Sequence, residues 1–277
     1  MTQELTVVVT RYGESFEIVK QCLDSLALQS GCRCLVLFLD QNDSPQTRSY
    51  VQKLGSENVS FDYERIPAKS LSFARNTGIK KSKTDLVAFC DADTILPSGW
   101  ASEIVSVFKE YQPAIVGTKI LPKWQKKTQW YHHSRFIQEF YSLLDVSSYV
   151  CEIPKVIGAS FAVDKTKLND LLFEEKLGRK GGVLLGGEET DLCQKVRENG
   201  QKIFYTPRTF AYHQVAHERM KLDFLLRRAY FGGISRALRQ GKPEPFNKSY
   251  RLLDRFSLLL ILPSYLLGYL KGKTLHV

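Results

Sequence analysis

The chain has 277 residues, 43% of them hydrophobic and 25% charged, which is globular composition and enough length for a sizeable core. Its formal net charge of +10 calls for an anionic partner, but the basic residues are scattered and no nucleic-acid motif is present, so nucleic acid is not expected as that partner. Cys22, Cys32, Cys34, Cys90, Cys151 and Cys193 follow neither a zinc spacing nor a dense disulfide pattern, and Leu5 to Val9 is too short for a secretion signal, so a reducing cytoplasmic setting is expected.

Leu5 to Thr10 reads as a buried strand, followed by a turn through Tyr12, Gly13 and Glu14. Ile18, Val19, Cys22, Leu23 and Leu26 recur at helical spacing. Cys34 to Leu39 is a second apolar strand, closed by Asp40 and the turn residues 41–45. A helix over Thr47 to Leu54, a short strand over Val59 to Tyr63 and a helix over Ser72 to Lys81 lead to the strand Leu86 to Cys90. Strands alternating with helices predict an α/β fold with a mostly parallel central sheet covered on both faces, its first ~95 residues forming a nucleotide-binding half.

The strand at Leu86 runs into Asp91-Ala92-Asp93. Residues i and i+2 of an extended chain point the same way, so both carboxylates can converge at the open end of the sheet. Two hard oxygen ligands there suit Mg²⁺ or Mn²⁺ carrying a diphosphate. The competing reading makes Asp91 a turn residue and Asp93 a cap for the segment starting near Pro97.

Pro97 is expected as a first helical residue, ahead of a stripe formed by Ile104, Val107 and Phe108, and Ala114 to Gly117 as a strand. From Trp124 to Tyr149, aromatic residues alternate with Lys123, Lys126, Lys127 and Arg135. That texture suits either a surface for sugars or lipid phosphates, or a helix burying Phe136, Phe140 and Leu144. Lys155 to Val163 returns to strand texture. Residues 178–187 hold five glycines with Arg179 and Lys180, a loop without the P-loop pattern. Glu188, Glu189 and Asp191 open a helix; they serve either its dipole or a ligand pocket as a base. Ile203 to Tyr205 is a short strand, then Pro207, then an apolar stretch ending in His213, a structural residue or a metal ligand.

Arg227, Arg228, Arg236, Arg239, Lys242, Lys248, Arg251 and Arg255 precede the apolar run Phe256 to Leu270, interrupted by Pro263. Fifteen residues fall short of the ~20 needed to span a bilayer. A basic approach followed by Leu, Phe and Tyr predicts a segment lying in the membrane interface; the alternative is a helix closing the core.

In their order these segments resemble the family 2 glycosyltransferases of GT-A fold, over about residues 4–240. Leu71-Ser72-Phe73-Ala74-Arg75-Asn76-Thr77-Gly78 is similar to that family's "ARNxG" segment, Cys90 to Asp93 to its metal motif, and Gly187-Glu188-Glu189-Thr190-Asp191-Leu192 to its "GEDxDL" segment. The resemblance implies a GT-A domain over 1–240, divided into a nucleotide-sugar half (1–95) and an acceptor half (96–240); beyond it, the basic and apolar residues of 241–277 are expected to form a helical tail on the inner face of the membrane. It further implies that Thr10, Arg11, Tyr12, Asp40, Lys69, Arg75, Asn76 and Asp91 meet the donor, a UDP-sugar in the first instance. Asp91, Asp93 and His213 would hold Mg²⁺ or Mn²⁺. Glu189, standing where the family usually has Asp, ranks first as catalytic base, ahead of Asp191 and Glu188. The implied reaction is inverting, metal-dependent transfer of a sugar to a hydroxyl of a glycan or lipid-linked acceptor. A nucleotidyltransferase acting on sugar phosphates and a non-catalytic nucleotide-sugar-binding protein are the alternatives. The first is disfavoured because Thr10-Arg11-Tyr12-Gly13-Glu14 is too short and too poor in glycine for that class of loop.

Overall fold

The structure, a computed structural model, describes residues 3–239 and 251–275. Lys242, Lys248 and the expected boundary near residue 240 lie outside them.

Strand β1 (Leu5–Arg11), helix α1 (Phe16–Ala27), β2 (Cys34–Asp40), α2 (Pro45–Val51), β3 (Val59–Arg65), α3 (Leu71–Lys81) and β4 (Leu86–Asp91) follow the expected alternation. They pair in parallel in the order β3-β2-β1-β4. The second half departs from expectation. After β5 (Thr94–Ile95), α4 (Trp100–Tyr111), β6 (Ile115–Trp124), α5 (Arg135–Phe140), β7 (Cys151–Glu152) and β8 (Ser160–Asp164) come α6 (Glu188–Glu198), β9 (Ile203–Val215), α7 (Leu222–Leu238) and α8 (Leu252–Thr274). Strand β8 enters between β4 and β6 antiparallel to both, and β5 and β7 pair antiparallel with β9. The sheet is therefore mixed, not mostly parallel: its first half is wholly parallel, and the second half combines these antiparallel pairings with a long parallel ladder between β6 and β9.

Several boundaries shift for identifiable reasons. Strand β9 is far longer than Ile203 to Tyr205, because a register shift opposite Thr118 and Lys119 carries it past residues 207–209, so Pro207 sits where no ladder bond is required. Pro97 does not start α4; it precedes the helix and its carbonyl accepts the amides of Trp100 and Gln29. Helix α5 stops at Phe140, and Leu144 reaches the core by bridging Ile120 instead. Strand β8 begins only at Ser160. Most of the aromatic stretch is core: Trp124 and His132 pack 5.1 Å apart, and Tyr131, His132 and Tyr141 are buried. Cys22, Cys90 and Cys193 are buried free thiols, as their apolar settings imply.

Helix α8 continues through Pro263 for 23 residues and is long and apolar enough, by length and composition, to cross a membrane. It is nevertheless docked. Buried Asp254 accepts from the Ser134 hydroxyl at 2.9 Å and the Arg135 amide at 2.8 Å, pinning the start of α8 to the start of α5. Farther along, Gly268 of α8 lies against α7 so closely that a Cβ would collide with the Tyr230 backbone, and one on Gly233 would collide with Tyr265.

Candidate active site

Register builds the site. In the ladder β1–β2 Arg11 faces Asp40, and in β1–β4 Thr10 faces Asp91, so the ends of three parallel strands bring these side chains together at the carboxyl edge of the sheet. Two residues past β4, Asp93 leads into β5, whose Thr94 pairs with His213 of β9, while Asp93 O accepts the Gln214 amide at 2.9 Å. The antiparallel patch β5–β9 thus delivers His213 to the two aspartates from 120 positions away. One ligand atom from each of Asp91, Asp93 and His213 lies within 4.8 Å of the others.

Asp93 Oδ1 stands 3.3 Å from His213 Nε2, and Asp93 Oδ2 accepts from Arg219 Nη1 at 3.0 Å. Burial alone would raise the Asp93 carboxyl, but His213, Arg219 and Arg179 outweigh it and hold the group well below the ordinary carboxylate range. Burial and the neighbouring Asp93 raise Asp91 despite the pull of Arg75. Buried Asp93 Oδ1 and His213 Nδ1 have no hydrogen-bond partner among the described residues. Two carboxylates and an imidazole with unspent acceptor capacity fit a divalent ion that takes oxygen and nitrogen ligands.

A cavity of about 210 Å³ opens over this cluster, lined by Thr10, Arg11, Tyr12, Asp91, Asp93 and the guanidinium-bearing residues Arg179 and Arg219. Arg179, Arg219 and the carboxylate-bearing Glu14 are among the lining residues that sequence reading did not assign. Asp40 does not line the cavity. It is fully buried and accepts from Arg11, from the Tyr63 hydroxyl at 2.9 Å and from the amides of Asn42 and Ser44, so it organises the turn that carries Arg11. Asn76 uses both ends of its amide on the Phe173 backbone, each at 2.9 Å, and clamps α3 to that segment. Lys69 stacks 4.6 Å over the Phe73 ring and does not line the cavity either.

Arg75 joins the two acidic motifs. Only 2% exposed, it donates to Glu188 Oε1 at 2.8 Å, Asp91 Oδ1 at 3.2 Å and the Gly158 carbonyl at 2.8 Å. Burial and the neighbouring Glu189 push Glu188 up to about 7 against the attraction of Arg75. The three acids at the head of α6 are thereby told apart. Glu188 is committed to Arg75, and Asp191 to Lys195 at 2.8 Å. No hydrogen bond or ion pair among the described residues engages Glu189, which borders a second cavity of about 430 Å³. Arg228 links the two spaces: it lines the second and donates at 2.8 Å to the carbonyl of Leu184, which lines the first.

Comparison with known proteins agrees with this architecture. The family model "Glycosyl transferase family 2" matches residues 6–172. The succinoglycan biosynthesis protein ExoM of Rhizobium meliloti is 24% identical over 246 residues, covering 83% of this chain and 72% of its own. The pre-mycofactocin glycosyltransferase of Mycobacterium tuberculosis is 24% identical over 177 residues, 64% of this chain; the chain spans only 36% of that relative's length. Among solved structures, GalNAc-T7 with UDP, GalNAc and Mn²⁺ superposes with a TM-score of 0.59 at 13% identity, covering 93% of this chain and 54% of that one, a likeness of fold. With the GT-A-type sheet in place and the family model spanning more than half of the sequence, the chain belongs to the family 2 glycosyltransferases.

Proposed function

We propose that this chain transfers a sugar, with inversion, from a nucleotide-diphosphate sugar, a UDP-sugar in the first instance, to a hydroxyl of a glycan or lipid-linked acceptor. The observation that carries the reading is the pairing of an Asp91–Asp93–His213 cluster, whose two aspartates line one cavity, with a carboxylate, Glu189, that no described hydrogen bond or ion pair engages and that borders a second. Thr10, Arg11 and Tyr12 receive the nucleotide. Arg219 and Arg179 face the diphosphate and neutralise charge as it departs. Asp91, Asp93 and His213 would hold Mg²⁺ or Mn²⁺, which when bound adds Lewis-acid stabilisation of the leaving phosphates. Glu189 accepts the proton of the acceptor hydroxyl as it attacks the anomeric carbon, a contribution typically of ~10²–10⁴-fold. Arg75 touches none of the reacting atoms; it holds Asp91 and the head of α6 in fixed relation. Lys69, Asn76 and Asp40 have structural partners and drop out of the donor set.

Helix α8 supports a membrane-proximal acceptor. Its outward face exposes Leu252, Phe256, Leu259, Leu266, Leu267 and Leu270, while Asp254, Ser257 and Gly268 are buried against the domain. A helix docked on one side and apolar on the other suits lying in the interface beside its domain rather than crossing alone, and this supports the reading of a peripheral enzyme on the inner face of the membrane.

The test is nucleoside diphosphate release and sugar transfer from a panel of UDP-, GDP- and dTDP-sugars, using wild type, Asp93→Ala and Glu189→Gln. Loss of both products in Asp93→Ala, and of transfer in Glu189→Gln, is expected. Near wild-type turnover in both variants would remove the assignment, and pyrophosphate as the product would mark a nucleotidyltransferase instead.

A further inference from the structure

One amide bordering the donor cavity is buried and unmatched. Gln41 follows directly on β2, and its backbone N–H donates to the Arg11 carbonyl at 3.0 Å, which fixes it beside the end of β1. It lines the cavity together with Thr10, Tyr12 and Asp91, and the residue is only 9% exposed. Its side-chain oxygen, Oε1, is buried without a hydrogen-bond partner among the described residues. A buried amide oxygen in that state costs stability until a donor reaches it.

The acid next to it has no such vacancy. Asp40 is fully buried and accepts from Arg11 Nη1 at 3.2 Å, from the Tyr63 hydroxyl at 2.9 Å, and from the amides of Asn42 at 2.9 Å and Ser44 at 3.1 Å. That is about as many donors as the two oxygens of a carboxylate accommodate. The acid ending β2, which the family resemblance set against the donor, is thus spent on the protein, and the unmatched acceptor at this edge of the sheet stands one residue farther along. Tyr12, 47% exposed, lines the same cavity and offers an aromatic face on which a base can stack. A glutamine amide presents an acceptor and a donor side by side. The imide edge of uracil presents the complement, N3–H beside a carbonyl oxygen.

We infer that Gln41 reads the nucleobase of the donor, Oε1 accepting the N3–H of a uracil-type imide and Nε2 donating to the adjacent carbonyl, with Tyr12 against the face of the ring. The inference rests on the reading of this cavity as the nucleotide-sugar site, and it gives to Gln41 the recognition that the resemblance implied for Asp40.

The test compares wild type with Gln41→Leu by calorimetry in the presence of Mn²⁺. Three probes are used: UDP, 3-methyl-UDP, in which a methyl group replaces the imide hydrogen, and inorganic pyrophosphate, which has no base. Wild type is expected to bind UDP at least ~10-fold more tightly than 3-methyl-UDP, on the scale of one hydrogen bond and the cost of leaving a buried acceptor unmatched. Gln41→Leu should bind UDP ~10-fold more weakly than wild type does and should no longer separate UDP from 3-methyl-UDP, while pyrophosphate binds both proteins alike. Without ligand, Gln41→Leu should melt at or above the wild-type temperature, because the substitution removes an unmatched polar atom from the interior. Retained discrimination in Gln41→Leu overturns the inference. A lowered melting temperature with an equal loss of pyrophosphate binding would make the amide a structural residue and overturns it as well. Failure of wild type to bind UDP with Mn²⁺ strikes the glycosyl-transfer reading and this inference together, whereas UDP binding that does not depend on Gln41 strikes this inference alone.

Discussion

Replacing Arg75 with Met tests how the two acidic motifs are held. The guanidinium makes three hydrogen bonds, to Glu188, Asp91 and the Gly158 carbonyl, and stacks 5.4 Å from the Phe161 ring and 5.7 Å from the Phe173 ring. Methionine keeps much of the volume and the ring contacts but removes the only described ion-pair partner of Glu188, whose Oε2 already has no hydrogen-bond partner among the described residues. Breaking a buried pair by removing one member costs about 3–5 kcal/mol. At roughly 2–4 °C per kcal/mol for a large domain, the melting temperature should drop by about 6–20 °C. Glu188 can relieve part of that cost by taking up a proton, since burial and Glu189 already lift it to about 7. The loss should therefore be larger at pH 8 than at pH 6. In Arg75→Met/Glu188→Gln the stranded carboxylate is gone, and about half of the lost stability should return. Urea denaturation at the two pH values, with the single and double variants side by side, measures all of this. A loss below about 1 kcal/mol, or a double variant no more stable than the single one, would refute the bridging role.

Three further outcomes are expected. In the wild type, Glu188 is raised above its ordinary value, so the folded state keeps a proton that the unfolded state has released between about pH 4.5 and 7. Its contribution to stability is full below that window and is lost as pH rises through it; Glu188→Gln should flatten the urea midpoint across the same range, and an unchanged slope would count against the raised carboxyl. Gly268→Leu should destabilise by about 3 kcal/mol, because the side chain would have to occupy the Tyr230 backbone, and denaturation midpoints near wild type would show that α8 does not dock there. Leu259→Glu with Leu266→Glu, both on exposed positions, should abolish flotation with anionic vesicles while leaving UDP binding intact; equal flotation would reject α8 as the membrane contact.

How much of this could be read from the residues divides along sequence distance. Asp91 and Asp93 do stand together after an apolar strand, as the local pattern suggested, but β4 ends at Asp91 and a turn over residues 92–93, not the period-2 geometry of a strand, brings the second carboxylate round. The Rossmann-like half was legible because strand and helix alternate there in local pattern and β1–β2 and β2–β3 join consecutive strands, with β1–β4 the one longer-range pairing. The mixed second half was not, because antiparallel insertion of β8 between β4 and β6 is decided by tertiary pairing that no local pattern announces. Arg219 meets Asp93 across 126 positions, and nothing around it in the sequence distinguishes it from the other scattered arginines. Asn76 looked like a donor contact through its family motif; in the fold its amide holds the Phe173 backbone, 97 positions away, a partner that no local pattern announces. Helix α8 was underestimated because Pro263 seemed to cut the apolar run short, whereas the helix passes through it with α7 packed alongside.

The central claim is that Asp91, Asp93 and His213 hold the ion that anchors the donor diphosphate. Thermal unfolding of wild type and Asp93→Asn with UDP, with and without Mn²⁺, addresses it most directly, since a ligand that binds only the folded state raises the transition by mass action. The account predicts that UDP stabilises the wild type strongly only when Mn²⁺ is present, and that Asp93→Asn loses this added stabilisation. The same Mn²⁺-dependent shift in Asp93→Asn as in the wild type would contradict it.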